Sequence, residues 1–132
     1  MTKENAITAA SEQGGRTFDL EERTARFGEA VIAYCRTVSL NAISDPLVRQ
    51  LVRSAMSVGA NYCEADDAVS GKEFRQKVGT CKKEARETKH WLRMLASADP
   101  SGKETTRSLW KEANELHLIF ASIFRKLSVA KK

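Results

Sequence analysis

The 132-residue sequence is poor in turn formers and rings, with 2 Pro, 7 Gly and an aromatic share of 7%. That argues against a turn-rich β-sandwich. Its three cysteines, Cys35, Cys63 and Cys81, are odd in number and contain no Cys-x-x-Cys pair. A disulfide framework or zinc ribbon is thereby excluded. Each lies in an apolar-periodic segment, so all three are expected as buried structural thiols. There are only two histidines and one Glu-x-x-His, from Glu87 to His90. A di-metal carboxylate bundle needs two such pairs and two further carboxylates, whereas His117 has Asn114 three residues before it. No glycine-rich phosphate loop and no Gly-x-Ser-x-Gly elbow occurs. The expectation is no metal, no cofactor, no small-molecule substrate and no enzymatic activity. No run approaches the roughly 18 apolar residues that a membrane-crossing helix needs. Met1 to Phe18 lacks an apolar segment of the signal-peptide kind, so a cytoplasmic location is expected.

What is present is helical periodicity. A 42% hydrophobic and 30% charged composition is a globular balance for one domain. Residues 1–17, with Gly14-Gly15, are expected as a flexible tail, 18–128 as the domain, and 129–132 as a basic C-terminal tail. Leu20, Phe27, Val31, Tyr34 and Val38 share one helix face, with Asp19 as its cap. Ser44-Asp45-Pro46 offers a cap and a proline for a second helix, whose stripe is Leu47, Leu51, Ala55, Val58 and Tyr62. Ser70 with Glu73 reads as a capping box for a third, through Phe74, Val78, Cys81, Ala85, Leu92 and Leu95. Asp99-Pro100-Ser101-Gly102 ends it. A fourth runs from about Lys103 to Leu127, with Leu109, Ala113, Leu116, Phe120, Ile123 and Leu127 on one side. Four helices on short connections predict an all-α, antiparallel, up-down-up-down four-helix bundle.

Three surfaces stand outside that core. On the second helix, Ser54, Ser57, Asn61 and Glu64 form a polar band, which is either a solvated face or a buried hydrogen-bonded one. The fourth helix is apolar on a second side. Trp110, His117 and Phe124 recur at heptad spacing, and Leu118 points nearly opposite the core. These four are expected at the interface of a homo-oligomer. The third helix carries eight Lys and Arg against three Glu, a net +5 equal to that of the whole chain. Arg75, Lys82, Arg86, Lys89 and Arg93 fall within about 60° on the helical wheel, a ribbon about 27 Å long. This is the footprint of a phosphate-backbone binder. The alternative is a solvated face neutralised by acids such as Asp66, Asp67, Glu112 or Glu115.

The residues resemble a known family. Ser54-Ala55-Met56-Ser57-Val58-Gly59-Ala60-Asn61-x-x-Glu64-Ala65, then Ser70-x-x-x-Phe74-x-x-Lys77, then Lys83-Glu84-Ala85-Arg86-Glu87-Thr88-x-x-Trp91-Leu92 look like the four-helix bundle proteins called 23S ribosomal RNA intervening-sequence proteins. Leu20-x-Glu22-Arg23-Thr24-x-x-Phe27 and Glu112-Ala113-Asn114-Glu115-Leu116 resemble the first and last helices of that family. Met56 and Tyr62-Cys63 stand where smaller or aliphatic residues are more usual. The resemblance implies a small bacterial cytosolic protein, a left-handed bundle, a ring-like homopentamer, no established catalysis, and association with nucleic acid or the ribosome. Distantly similar bundles are accessory subunits of diversity-generating reverse transcriptases, a role for which this chain has no distinguishing feature. The matching positions also imply a shielded polar network of Ser57, Asn61, Glu64, Lys77, Glu84, Glu87 and Trp91 near a subunit contact, fixing register and assembly.

Two functions follow. One is a non-enzymatic homo-oligomer bound to RNA or the ribosome through the ribbon. The alternative is a protein scaffold or adaptor without nucleic-acid binding.

Overall fold

A computed structural model describes residues 19–130, with side chains to Leu127. The expected 1–17 tail lies outside the described residues. Among those residues there are four α-helices and no strand: α1 (Leu20–Cys35), α2 (Ser44–Asp66), α3 (Gly71–Ala98) and α4 (Lys103–Ala130). A single 3-10 turn, Pro100–Gly102, joins the last two.

The helix starts follow local chemistry. Asp19 accepts hydrogen bonds from the amides of Glu21 and Glu22 at 3.0 and 3.3 Å. The Ser70 hydroxyl accepts from Glu73 N at 3.1 Å, while the Glu73 carboxylate reaches back to Val69 N at 3.2 Å. The second helix differs from expectation. Ser44 is already helical, and the cap is supplied by Asn41, whose side-chain oxygen accepts from Ile43 N and Ser44 N, both at 2.9 Å. Ser44 Oγ is turned back to donate to Ser39 O at 2.7 Å, so it holds the connector rather than the helix end.

Two helix ends also shift. The apolar pattern reaches Val38, but α1 stops at Cys35 and Val38 is buried from the loop that follows. At the other end, α4 continues through 129 and 130, where a tail was expected. No glycine or proline follows Leu127 to stop it. Residues 131 and 132 lie outside the described residues.

Every residue of the α1, α3 and α4 stripes is buried, and so are Leu51, Ala55, Val58 and Tyr62 of α2. Leu47 is half-buried at the rim. Contacts between α2 and α3 run in opposite residue order: Arg53 reaches Glu84 and Glu87, Ser54 meets Thr88, Val58 meets Cys81 and Glu64 meets Lys77. The α3–α4 connection is tied to α1. Tyr34 donates to Asp99 Oδ2 at 3.0 Å, and Ser101 donates to Asp99 Oδ1 at 2.8 Å. A Cβ on Gly102 would lie 2.5 Å from that carboxylate and 2.9 Å from the Tyr34 ring, so a side chain there would displace the Tyr34–Asp99 contact.

The cysteine reading holds for Cys81, which is buried and donates to Val58 O at 3.5 Å. Burial pushes its thiol up to about 12, and that of half-buried Cys35 up to about 11. Cys63 is a correction: it is exposed, its sulfur 3.9 Å from Glu21 Oε1. It lies on the α2 flank beside α1, one residue beyond the core position Tyr62.

Candidate nucleic-acid interface

Of the five ribbon residues on α3, Arg75, Lys82, Lys89 and Arg93 lie along its border with α4, while Arg86 lines the surface shared with Arg53, Glu84 and Glu87. Arg75 lays its guanidinium 3.9 Å from the centroid of the Phe124 ring, and Lys82 stands 5.4 Å from the same ring. Phe124 is seated against Gly79, where an added Cβ would lie 3.0 Å from the ring. Lys89 donates to Asn114 Oδ1 at 3.0 Å, faces His117 Nδ1 at 3.4 Å and sits 5.4 Å from the Trp110 ring centroid. Arg86 and Arg93 extend into solvent. The α3 ribbon and the α4 aromatic stripe, read from the sequence as two surfaces, are therefore one. Trp110, His117 and Phe124 each carry a ribbon cation. Leu118 points elsewhere and is 57% exposed.

Two of the acids nominated to neutralise the ribbon, Glu112 and Glu115, are engaged by Arg23 of α1. Glu112 takes Arg23 in a bidentate pair with both contacts at 2.8 Å, and Glu115 lies 3.4 Å from the same guanidinium. Arg23 is buried, and the hydrogen bond that it donates to Glu112 raises its pKa against the effect of desolvation. Glu84 and Glu87 take Arg53, and Glu64 takes Lys77 at 3.3 Å. Among the described residues, none of Lys82, Arg86, Lys89 and Arg93 makes an ion pair.

The uncompensated charge is felt by its neighbours. Burial lowers the Lys89 pKa, and the nearby Arg86 lowers it further. Burial likewise lowers that of His117, with added repulsion from Lys89, Lys82 and Arg86. An ammonium only donates, so Nδ1 of a neutral His117 accepts from Lys89. His117 Nε2 is buried with no hydrogen-bond partner.

The anticipated polar network separates into pieces. Between its members lie two residues outside the expected set: the buried Ser54 and Thr88 hydroxyls meet at 2.9 Å, and Thr88 donates to Glu84 O at 2.7 Å. Beside them Arg53 bridges Glu84 and Glu87. Asn61 bonds only within its own helix, to Ser57 O and Ser57 Oγ at 2.9 Å. Trp91 packs edge-on to His90 with centroids 5.0 Å apart, and its indole nitrogen is buried without a hydrogen-bond partner. Sequence reasoning missed Arg53 and Arg23. Arg23 carried a signal, since it lies three residues after Leu20 and four before Phe27, on the core face. Arg53 adjoins the polar band but carries no comparable periodic mark.

Four helices on short connections, with a basic face built across the last two, define a small helical protein whose distinctive surface is cationic. Residues 18–122 match the 23S rRNA-intervening sequence protein family, and the chain belongs to that family. A crystal structure of a protein of unknown function from the S23 ribosomal protein family of Bacteroides thetaiotaomicron VPI-5482 shares the fold. Its TM-score is 0.70 at 24% identity, over 81% of this chain and 99% of that one. No curated protein matches the chain. The family takes its name from an rRNA sequence, not from a reaction. No helix among the described residues is long and apolar enough to cross a membrane.

Proposed function

We propose that the chain is a non-enzymatic, cytoplasmic, homo-oligomeric bundle that binds RNA, alone or in the ribosome, through Arg75, Lys82, Arg86, Lys89 and Arg93. One observation carries the reading: Glu112 and Glu115 are spent on Arg23, Glu84 and Glu87 on Arg53, and Glu64 on Lys77, while among the described residues Lys82, Arg86, Lys89 and Arg93 make no ion pair. Cations held apart from acids are the arrangement that releases counterions on meeting phosphate. The family name supports the same class of partner.

In this reading the helices run antiparallel in a left-handed bundle, the domain runs from residue 18 to the end of α4, and copies assemble into a ring, taken as a pentamer. Self-association uses the exposed Leu118 rather than the Trp110, His117 and Phe124 stripe, because joining copies through that stripe would bring like-charged ribbons together. The pieces around Arg53, Glu84 and Thr88 fix the register of α2 on α3. Crosslinking in cells, followed by sequencing of the attached RNA and mapping of the crosslinked peptides, tests the reading. RNA attached to α3 peptides is the expected result. Purified particles with no crosslinked RNA contradict it and favour the scaffold alternative.

A further inference from the structure

Beyond the end of the ribbon, α3 and α4 enclose an open groove of about 310 Å³. Its walls carry four cations, Arg93 from α3 and Lys103, Arg107 and Lys111 from α4, and no acidic residue. Among the described residues none of the four is in an ion pair. The three on α4 are spaced four apart, so they form one row of like charges that repel along the helix. Lys103 also opens α4, where the helix dipole disfavours a cation. An anion in the groove relieves the repulsion along that row.

The remaining surface is apolar. Leu92 lines the groove, and Trp110 forms a wall while 39% exposed to water. Lys89, over the Trp110 ring, joins the groove to the ribbon, and Arg93 belongs to both. A duplex offers phosphates but keeps its base faces stacked inside, so an exposed indole gains nothing from it. An unpaired nucleotide offers a free π-face together with flanking phosphates. The groove's size suits one base rather than a helix.

We infer that this groove is a single-strand RNA site in which one unpaired base stacks on Trp110 and the neighbouring phosphates are held by Arg93, Lys103, Arg107 and Lys111. The inference rests on the RNA-binding reading above and adds strand selectivity to it. The test measures fluorescence anisotropy of a labelled 12-nucleotide oligo-adenylate and of a labelled 12-base-pair RNA duplex with the full chain. The single strand binds more tightly than the duplex. Trp110→Ala weakens single-strand binding by about tenfold and duplex binding far less, through the Lys89 that it supports, and Trp110→Phe restores most of the loss. Arg107→Gln with Lys111→Gln lowers the single-strand salt slope by about 0.7 per cation removed. Light scattering finds the particle mass of Trp110→Ala unchanged.

Single-strand affinity that ignores Trp110, or equal loss for both probes, overturns the site while leaving the ribbon reading intact. AMP competing as well as the oligonucleotide would also overturn it. A fall in particle mass would place Trp110 in a subunit contact instead. Failure of both probes to bind contradicts the RNA reading itself.

Discussion

His117 is the residue that reports most directly on the basic face. Its lowered pKa comes from burial first, then from Lys89, Lys82 and Arg86. An RNA phosphate neutralising those cations removes the repulsive part. An NMR titration is therefore expected to show the His117 pKa rising when RNA is added, and an unchanged value would mean that phosphate does not reach these cations. The sign for stability is fixed as well. The unfolded imidazole takes a proton near its ordinary value of about 6.5, while the folded one resists. The contribution of His117 to stability is thus full above about pH 6.5 and is lost as pH falls toward the lowered folded value.

The same scale separates Glu84 from Asn61, two residues the sequence placed in one network. Glu84 is buried, and its carboxylate takes Arg53 across the α2–α3 contact. Asn61 bonds only to Ser57, one turn away. Glu84→Ala is expected to cost about 1–2 kcal/mol in urea unfolding, against less than about 0.5 kcal/mol for Asn61→Ala. Equal losses would contradict this division of roles.

At the scale of the element, the buried face of each helix was legible because burial imposes a 3.6-residue period, and that period is written directly into residue order. The stripes of α3 and α4 needed no revision, and that of α1 only at Val38, which is buried from the loop after the helix. Caps were legible where the side chain acts on its own helix, as at Asp19 and Ser70. The start of α2 was not, because two neighbouring polar side chains could each cap it. Asn41 won the amides, and Ser44 turned back to Ser39 O. Asn41→Ala should therefore destabilise the protein by about 1 kcal/mol, read as a lowered melting temperature, with most of the change at the start of α2 in hydrogen exchange. A loss confined to Ser44→Ala would restore the simpler cap.

At the scale of the whole molecule, the position of charge was legible but its pairing was not. Summing residues assigns the excess to α3, and the helical wheel narrows it to five cations. Whether neighbours answer those cations depends on contacts between helices distant in sequence, such as Arg23 on α1 with Glu112 on α4. No spacing rule reports such a pair. The packing also merged two surfaces that sequence kept apart, by setting the α3 cations over Trp110, His117 and Phe124 of α4. The family name carries a link to ribosomal RNA, and Lys82, Arg86, Lys89 and Arg93, in no ion pair among the described residues, are the physical ground for proposing a polyanion partner.

The account stands most directly on the salt dependence of RNA binding. Each neutralised phosphate contributes a slope of about 0.7 in the logarithmic plot of affinity against salt for single strands. Replacing Arg75, Lys82, Arg86, Lys89 and Arg93 together with glutamine should lower that slope by roughly 3.5 and abolish binding near physiological salt, with helical content retained in circular dichroism. A folded variant that keeps the original affinity and slope would contradict the account.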